Sequence, residues 1–210
     1  MPNWCLTTAT ITTDSEKTAK NVYDKLDEWL KEPDGKRVSD FGDGWLGNLA
    51  VNSGVVESYD ALHDTDMAVR GEVDDVQLDG SSIYLMMSTA WGPMLEPLYH
   101  AIEKNFGFDG IDITYTAQEP NMQLFITNDG TIEGKYFVEI DEDADESIKK
   151  AFGTDEYTED TYDEDALADI LRNAFDSDDN ATIDELLAQA DEYEGIYINL
   201  WEYENIKETF

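Results

Sequence analysis

Positive charge is what this sequence lacks most. Its 210 residues hold 13 lysines and arginines against 49 aspartates and glutamates, a formal net charge of −36. A chain so charged repels nucleic acid, acidic lipid and other anions, which excludes direct nucleic-acid and membrane-surface binding. Cysteine is nearly missing: Cys5 stands alone, so no intrachain disulfide can form, which suits a reducing compartment. No run approaches the ~20 apolar residues of a membrane span. The opening MPNWCLTT has neither the basic nor the apolar region of a signal peptide. A cytoplasmic protein is expected. The motifs of hydrolytic and transfer chemistry are missing too: there is no G-x-S-x-G, H-E-x-x-H, Walker A loop or kinase set. With carboxylates this numerous, spacing singles out no glycosidase pair. The chain reads as a non-enzyme with no cofactor.

What is present is enough apolar material for a core, 41% of residues with 11% aromatic, too much for a wholly disordered chain. NWCLTTATIT (3–12) reads as a strand. Thr13 and Glu16 hold the positions of a capping box, ahead of Val22, Leu26, Trp29 and Leu30 at helical spacing. A helix is expected over 15–31, stopped by Pro33 and Gly35. FGDGWLGNLAVNSG (41–54) is a glycine-punctuated connection with a short strand at 45–51. It lacks the GK[ST] and the local positive charge of a phosphate loop. Segments 67–80 and 81–91 are strands joined at Asp79-Gly80, a hairpin signal. Met94, Leu95, Leu98, Ile102 and Phe106 make the apolar stripe of a second helix, with Pro93 and Pro97 tolerated in its first turn. Residues 110–119 form a strand, and 122–140 a hairpin turning at Asn128-Asp129-Gly130. The first six main elements follow the ferredoxin-like order β-α-β-β-α-β. The expected fold is α+β: a ferredoxin-like antiparallel sheet with two helices on one face over 1–140, then an acidic helical extension over 141–210 ending in a strand.

Composition shifts at residue 141. Residues 141–210 carry 24 acidic and 4 basic side chains, −20 of the total −36. DEYTEDTYDEDALADI (155–170) alone has eight carboxylates and no basic residue. A disordered tail, a metal-binding loop and a surface shaped like another molecule's ligand compete to explain it. Leu167, Ile170, Leu171 and Phe175 recur at helical spacing. A Thr182–Glu185 capping box precedes Ile183, Leu186 and Leu187. GIYINLWEY (195–203) alternates Ile196, Ile198 and Leu200 with Tyr197, Asn199 and Trp201. A disordered tail would lack this patterning. Two runs begin like calcium loops, at Asp141 and Asp176. They then put Glu146 and Ala181 where glycine belongs, and Phe152 and Leu187 where the bidentate glutamate belongs. No specific metal site is expected.

Three stretches, MPNWC, GDGWLGN and STAWGPMLEPLYHAIEKNF, resemble the YubB ferredoxin-like family of plasmid and phage proteins. That family opens on a Pro-Asn-Trp-Cys-like motif and later carries Trp-Gly-x-x-Trp and Thr-Ala-Trp-x-Pro elements, the last leading into a helix. Thr89-Ala90-Trp91-Gly92-Pro93 matches closely; Phe41-Gly42-Asp43-Gly44-Trp45 departs by opening on phenylalanine. The resemblance spans residues 3–128. It implies the fold and a mobile-element setting, and it transfers no functional residue. Trp4, Trp45 and Trp91 are expected as core anchors, Cys5 as a buried inert thiol, and His63 and His100 as surface histidines.

Duplex DNA carries one negative charge per ≈1.7 Å of axis, so a net of −36 matches about 60 Å of duplex, or roughly 18 base pairs. Carboxylates three and four apart share a helix face, as Asp165 and Asp169 do. The expected function is a nucleic-acid-mimicking anti-defence protein of a phage or mobile element. In the host cytoplasm it would inhibit a nuclease complex, a CRISPR effector or restriction enzyme, by filling its cationic groove. The partner is thus a cationic nucleic-acid-binding protein. The expected contacts are Asp155, Glu156, Glu159, Asp160, Asp163, Glu164, Asp165, Asp169, Asp176, Asp178 and Asp179. A non-inhibitory acidic scaffold and a halophile-adapted domain are the alternatives. Against the latter, lysine outnumbers arginine ten to three and the charge is polarised along the chain. Self-repulsion gives a first test. The thermal unfolding midpoint should rise as NaCl goes from ~10 to ~500 mM, with the protein still folded at the low end, where a halophilic domain would collapse.

Overall fold

The threonine-rich opening run becomes the middle strand of a sheet. In β1 (Trp4–Thr13), Cys5, Thr7, Ala9, Ile11 and Thr13 are buried while Trp4, Leu6, Thr8 and Thr12 are exposed, the two-residue period of a strand with one covered face. The computed structural model describes residues 3–34, 37–178 and 180–205. Among them are six α-helices, and none is long and apolar enough to cross a membrane. The protein is α+β. It divides into two compact units: the chain up to Asp129 together with its return from Glu204, and Gly130–Tyr203.

In the first unit β1 is followed by α1 (Glu16–Trp29), α2 (Leu46–Asn52), β2 (Gly71–Asp79), β3 (Ser82–Ala90), α3 (Glu96–Asn105), β4 (Ile111–Glu119) and β5 (Leu124–Thr127). The strands lie in the order β2-β3-β1-β4-β5, and every neighbouring pair is antiparallel. Val22, Leu26 and Trp29 of α1 and Leu98 and Ile102 of α3 share a core with Ile11, Ile83, Leu85, Met87 and Ile113 of the sheet. Pro97 does fall in the first turn of α3, where its missing N–H costs little. Gly80, at φ +56, turns β2 into β3.

Two local expectations fail here. Thr13 is not part of a capping box: its hydroxyl bonds the carbonyls of Ser15 and Ser81. Ser15 caps α1 instead, accepting from the Thr18 amide at 3.2 Å. The segment expected as a strand at 45–51 is the helix α2. Its Asn48 is fully buried and donates to the carbonyls of Leu30 and Gly42. Asn52, one turn on, donates to those of Trp29 and Lys31. Two helically spaced amides thus satisfy carbonyls that the end of α1 leaves without helical partners.

The second unit runs β6 (Tyr136–Ile140), α4 (Glu146–Phe152), β7 (Thr158–Tyr162), α5 (Glu164–Phe175), α6 (Ile183–Ala190) and β8 (Ile196–Leu200), with strands in the order β7-β6-β8, antiparallel. Tyr136, Val138 and Ile140 pack against Ile148, Leu167, Leu171 and Leu186 of the helices. The capping box of Thr182 and Glu185 forms as its spacing predicts. The expected hairpin over 122–140 does not form, because β5 and β6 belong to different sheets. The Asn128 side chain is held by β4, accepting from the Tyr115 amide at 2.7 Å and donating to the Ile113 carbonyl at 2.8 Å. The segment after 141 holds the helices α4, α5 and α6 and the strands β7 and β8. It builds a sheet around β6, which precedes the change in composition. The alternation of 195–203 also breaks at its end: Leu200 is 44% exposed and Trp201 only 6%.

Ser15→Ala should destabilise the protein by about 1 kcal/mol, the usual worth of an N-cap side chain. Glu16→Gln should change stability by less than about 0.5 kcal/mol, as for a surface position. Urea unfolding of the two variants measures both.

Candidate functional site

The acidic run that looked like one block is spread over several elements. Asp155 and Glu156 lie in the turn entering β7, Glu159 and Asp160 on β7, Asp163 at the N-cap of α5, and Glu164 and Asp165 in its first turn. Asp169 follows one turn later. Asp176 closes α5 in the left-handed conformation, at φ 51, with Asp178 just beyond. The helix rise of 1.5 Å puts about 18 Å between its two ends. All ten of these side chains are exposed; Asp179, the remaining candidate, lies outside the described residues. The structure therefore brings Asp155 to Asp165 together around β7 and the start of α5, and sets Asp176 and Asp178 apart from them.

Several of these acids also stabilise the fold locally. Glu164 and Asp165 sit at the positive end of the α5 dipole, where anions are favoured. Asp178 Oδ1 accepts from the Asn180 amide at 2.8 Å, which holds its carboxyl below the usual range. Asp145 and Glu185 are lowered in the same way, by amide bonds at the starts of α4 and α6. Residues 130–203 contain 24 acidic and 4 basic residues, and three of those cations are engaged nearby. Lys135 Nζ lies 3.4 Å from Asp163, Arg172 Nη1 2.8 Å from Asp169, and Lys149 Nζ 4.0 Å from Glu146.

β7 creates a like-charge contact that the sequence alone did not reveal. Glu159 stands opposite Glu139 of β6, and Tyr197 of β8 flanks Glu139 on the other side. The Tyr157 hydroxyl donates to Glu159, and this bond, then burial, pushes its phenol far above the ordinary value. Burial, then the charges of Glu159 and Asp141, push the Glu139 carboxyl up. Recognising TEDTY (158–162) as a strand would have exposed this contact, but acidic residues are poor strand formers and hide the signal.

The first unit holds the other singled-out residues. Cys5 is fully buried beside Thr7, and burial raises its thiol, as expected of an inert cysteine. Glu119 is 1% exposed and accepts from Asn121 Nδ2 at 3.1 Å. His100 lies 3.7 Å from both Glu96 and Glu103, and His63 sits on a short turn, Ala61–Asp64. A cavity of about 320 Å³ near Tyr23 is lined by Asp27, Asp43, Asp74, Asp75 and Lys31, the last paired with Asp27. It brings together no nucleophile and base. Among the described residues, no three His, Cys, Asp or Glu side chains are grouped to hold a metal ion. The tryptophans correct an expectation. Trp45 is an anchor, donating from Nε1 to the Val69 carbonyl at 2.7 Å and stacked on Tyr59. Trp4 and Trp91 are not core anchors, being 42% and 48% exposed.

No protein-family model, curated protein or solved structure matches the chain.

The raised Glu139 carboxyl makes stability pH-dependent. Between its unfolded value near 4.5 and its higher folded value, the folded state binds more protons, so stability falls as pH rises through that window and stays lower above it. Glu139→Gln should therefore raise the unfolding midpoint at about pH 7 and flatten its pH dependence just above 4.5. Thermal melts across that range provide the check.

Proposed function

We propose that this protein is a nucleic-acid mimic that inhibits a host nuclease complex, a CRISPR effector or restriction enzyme, by occupying its cationic groove. The observation that carries this reading is the outward display of carboxylates around β7 and the start of α5, in a unit whose few cations are mostly tied to neighbours. A net of −20 over residues 130–203 matches the charge on about 34 Å of duplex, or roughly ten base pairs. Bonds from backbone amides to Asp145, Asp178 and Glu185 hold part of that charge in fixed positions. Held carboxylates meet a positively lined groove with less ordering cost than mobile ones.

The first unit is read as ferredoxin-like. The order β2-β3-β1-β4, antiparallel throughout, with α1 and α3 sharing one core, supports this, and β5 adds a further strand. The resemblance of MPNWC and STAWGP to the YubB family supplies the plasmid or phage setting, and so an anti-defence role in the host cytoplasm. The reading involves no catalysis and no cofactor. The partner is the cationic protein itself.

Competition tests it. The protein should displace labelled duplex from the host effector at physiological salt, and less effectively as salt rises. Reversing Asp155, Glu156, Glu159 and Asp160 together to lysine should abolish displacement. Each single alanine should weaken it by less than about threefold, the scale of one exposed charge. Lysine at 159 faces Glu139, so that variant exchanges a repulsion for an ion pair and keeps the sheet. Failure to displace duplex from any nuclease or effector of the host would refute the mimicry.

A further inference from the structure

Trp4 and Trp91, far apart in sequence, meet at one end of the first unit's sheet. Trp4 pairs in register with Ala90, and the Trp91 amide donates to the Asn3 carbonyl at 2.8 Å. Trp91 takes φ +67, a region that bulky side chains seldom enter and where retained strain tends to mark functional positions. Arg70 stacks on its indole at 4.7 Å, so the ring already accepts a guanidinium.

The apolar surface continues from Trp4 along the same face. Leu6 is 52%, Met86 57% and Tyr84 43% exposed. In the ladder Leu6 stands beside Ser88, Thr8 beside Met86, and Thr10 beside Tyr84. The opposite face of these strands, with Cys5, Ala9, Ile11, Ile83, Leu85 and Met87, is the one in the core. Four large apolar side chains, Trp4, Leu6, Tyr84 and Met86, therefore stand on the face that the helices leave open, with the exposed Trp91 just past the end of β3, a grouping that marks interaction surfaces in soluble proteins.

One border of this face is acidic. β2 lies at the sheet edge beside β3, with Glu72 opposite Ser88, Asp75 opposite Met86 and Asp79 opposite Ser82. Asp74, at the bulge, accepts from the Ser88 hydroxyl at 2.8 Å. Toward β4 the face turns to threonine, at positions 8, 10, 114 and 116. A second copy of the chain would set the same carboxylates and the same −36 against itself. Nucleic acid would meet the β2 carboxylates and be repelled. A polypeptide with basic and apolar side chains complements both halves of the face.

We propose that the open sheet face of the first unit docks a segment of another protein in which arginine or lysine is interspersed with apolar side chains. The apolar groups would cover Trp4, Leu6, Met86 and Trp91, and the cations would meet Glu72, Asp75 and Asp79. This does not depend on the mimicry reading, which uses the other unit and charge alone.

The probe is a synthetic peptide of about ten residues, the reach of β1, alternating leucine and arginine, titrated into the full chain and followed by amide chemical shifts and tryptophan fluorescence. Shifts should centre on Trp4, Leu6, Tyr84, Met86 and Trp91. Replacing leucine by serine in the peptide should weaken binding at least about tenfold, as should Leu6→Thr with Met86→Thr in the protein, through loss of the central apolar contact. Lysine reversal at Asp155, Glu156, Glu159 and Asp160 should leave these shifts in place, which separates this surface from the mimicry. If near-UV dichroism shows that the Leu6/Met86 variant fails to fold, Asp75→Lys with Asp79→Lys replaces it, with the same loss expected. Shifts confined to residues 130–203, or equal binding of the serine peptide, overturn the proposal. So do a dimer in sedimentation that Leu6→Thr with Met86→Thr dissolves, and displacement of the peptide by a single-stranded oligonucleotide.

Discussion

Mutual repulsion among 49 carboxylates is the constraint on which this structure turns. The chain must fold with nearly all of those charges kept outward, since an unpaired buried carboxylate costs several kcal/mol or neutralises; among the described residues Glu119 is the buried exception, bonded to Asn121. The periods of strand and helix make that sorting geometric. In β1, side chains alternate between core and open face. In α5, Leu167, Ala168 and Leu171 turn inward while Glu164, Asp165 and Asp169 turn outward. The directionality of helices helps further. Acids occupy the first turns of α1, α3, α4, α5 and α6, where the dipole welcomes them. Much of the negative charge thus sits where local physics favours it, which is how a chain this acidic keeps a core in each unit.

Where that sorting is imperfect, the electrostatics become visible. Glu139 is held on the central strand β6 between Glu159 and Tyr197, and its carboxyl is pushed upward by burial first and by its acidic neighbours second. In the strand TEDTY, Thr158, Thr161 and Tyr162 favour the extended form while Glu159 and Asp160 oppose it, and β6 supplies the ladder. The acids that accept backbone amides behave in the opposite sense. Asp145, Asp178 and Glu185 accept backbone amides and are lowered. The same side-chain type therefore weakens one part of this unit and ties down another, according to what it faces.

The elements readable from sequence were those whose signal is local. β1, the Asp79-Gly80 turn, the stripe of α3 and the Thr182–Glu185 box each announce themselves within a few residues. Others depend on partners distant in the chain. Asn48 and Asn52 make α2 a helix that closes α1 through carbonyls some twenty positions earlier. Asn128-Asp129-Gly130 has hairpin composition, but the Asn128 side chain is captured by β4. Of the candidate site, the exposure of the acids was legible, because charge this dense has nowhere else to go. Their division between the β7 region and the end of α5 was not. Alternation in NWCLTTATIT also fixes that Trp4 and Cys5 point to opposite faces, but not which face the helices cover.

That last ambiguity is where the tryptophans went astray, and its resolution bears on what they are for. A left-handed backbone costs an L-residue roughly 1–2 kcal/mol, and glycine would occupy position 91 without that strain. The indole is about half exposed, so only its covered half contributes to the fold. Its stacking with Arg70 at 4.7 Å is worth about 0.5–1 kcal/mol at an exposed site, short of the upper part of that strain. Leu6 and Met86 are likewise more than half exposed, so about half of their apolar surface is left out of folding. The uncovered half of each of these three side chains contributes nothing to folding; a partner that covers it would make use of that surface.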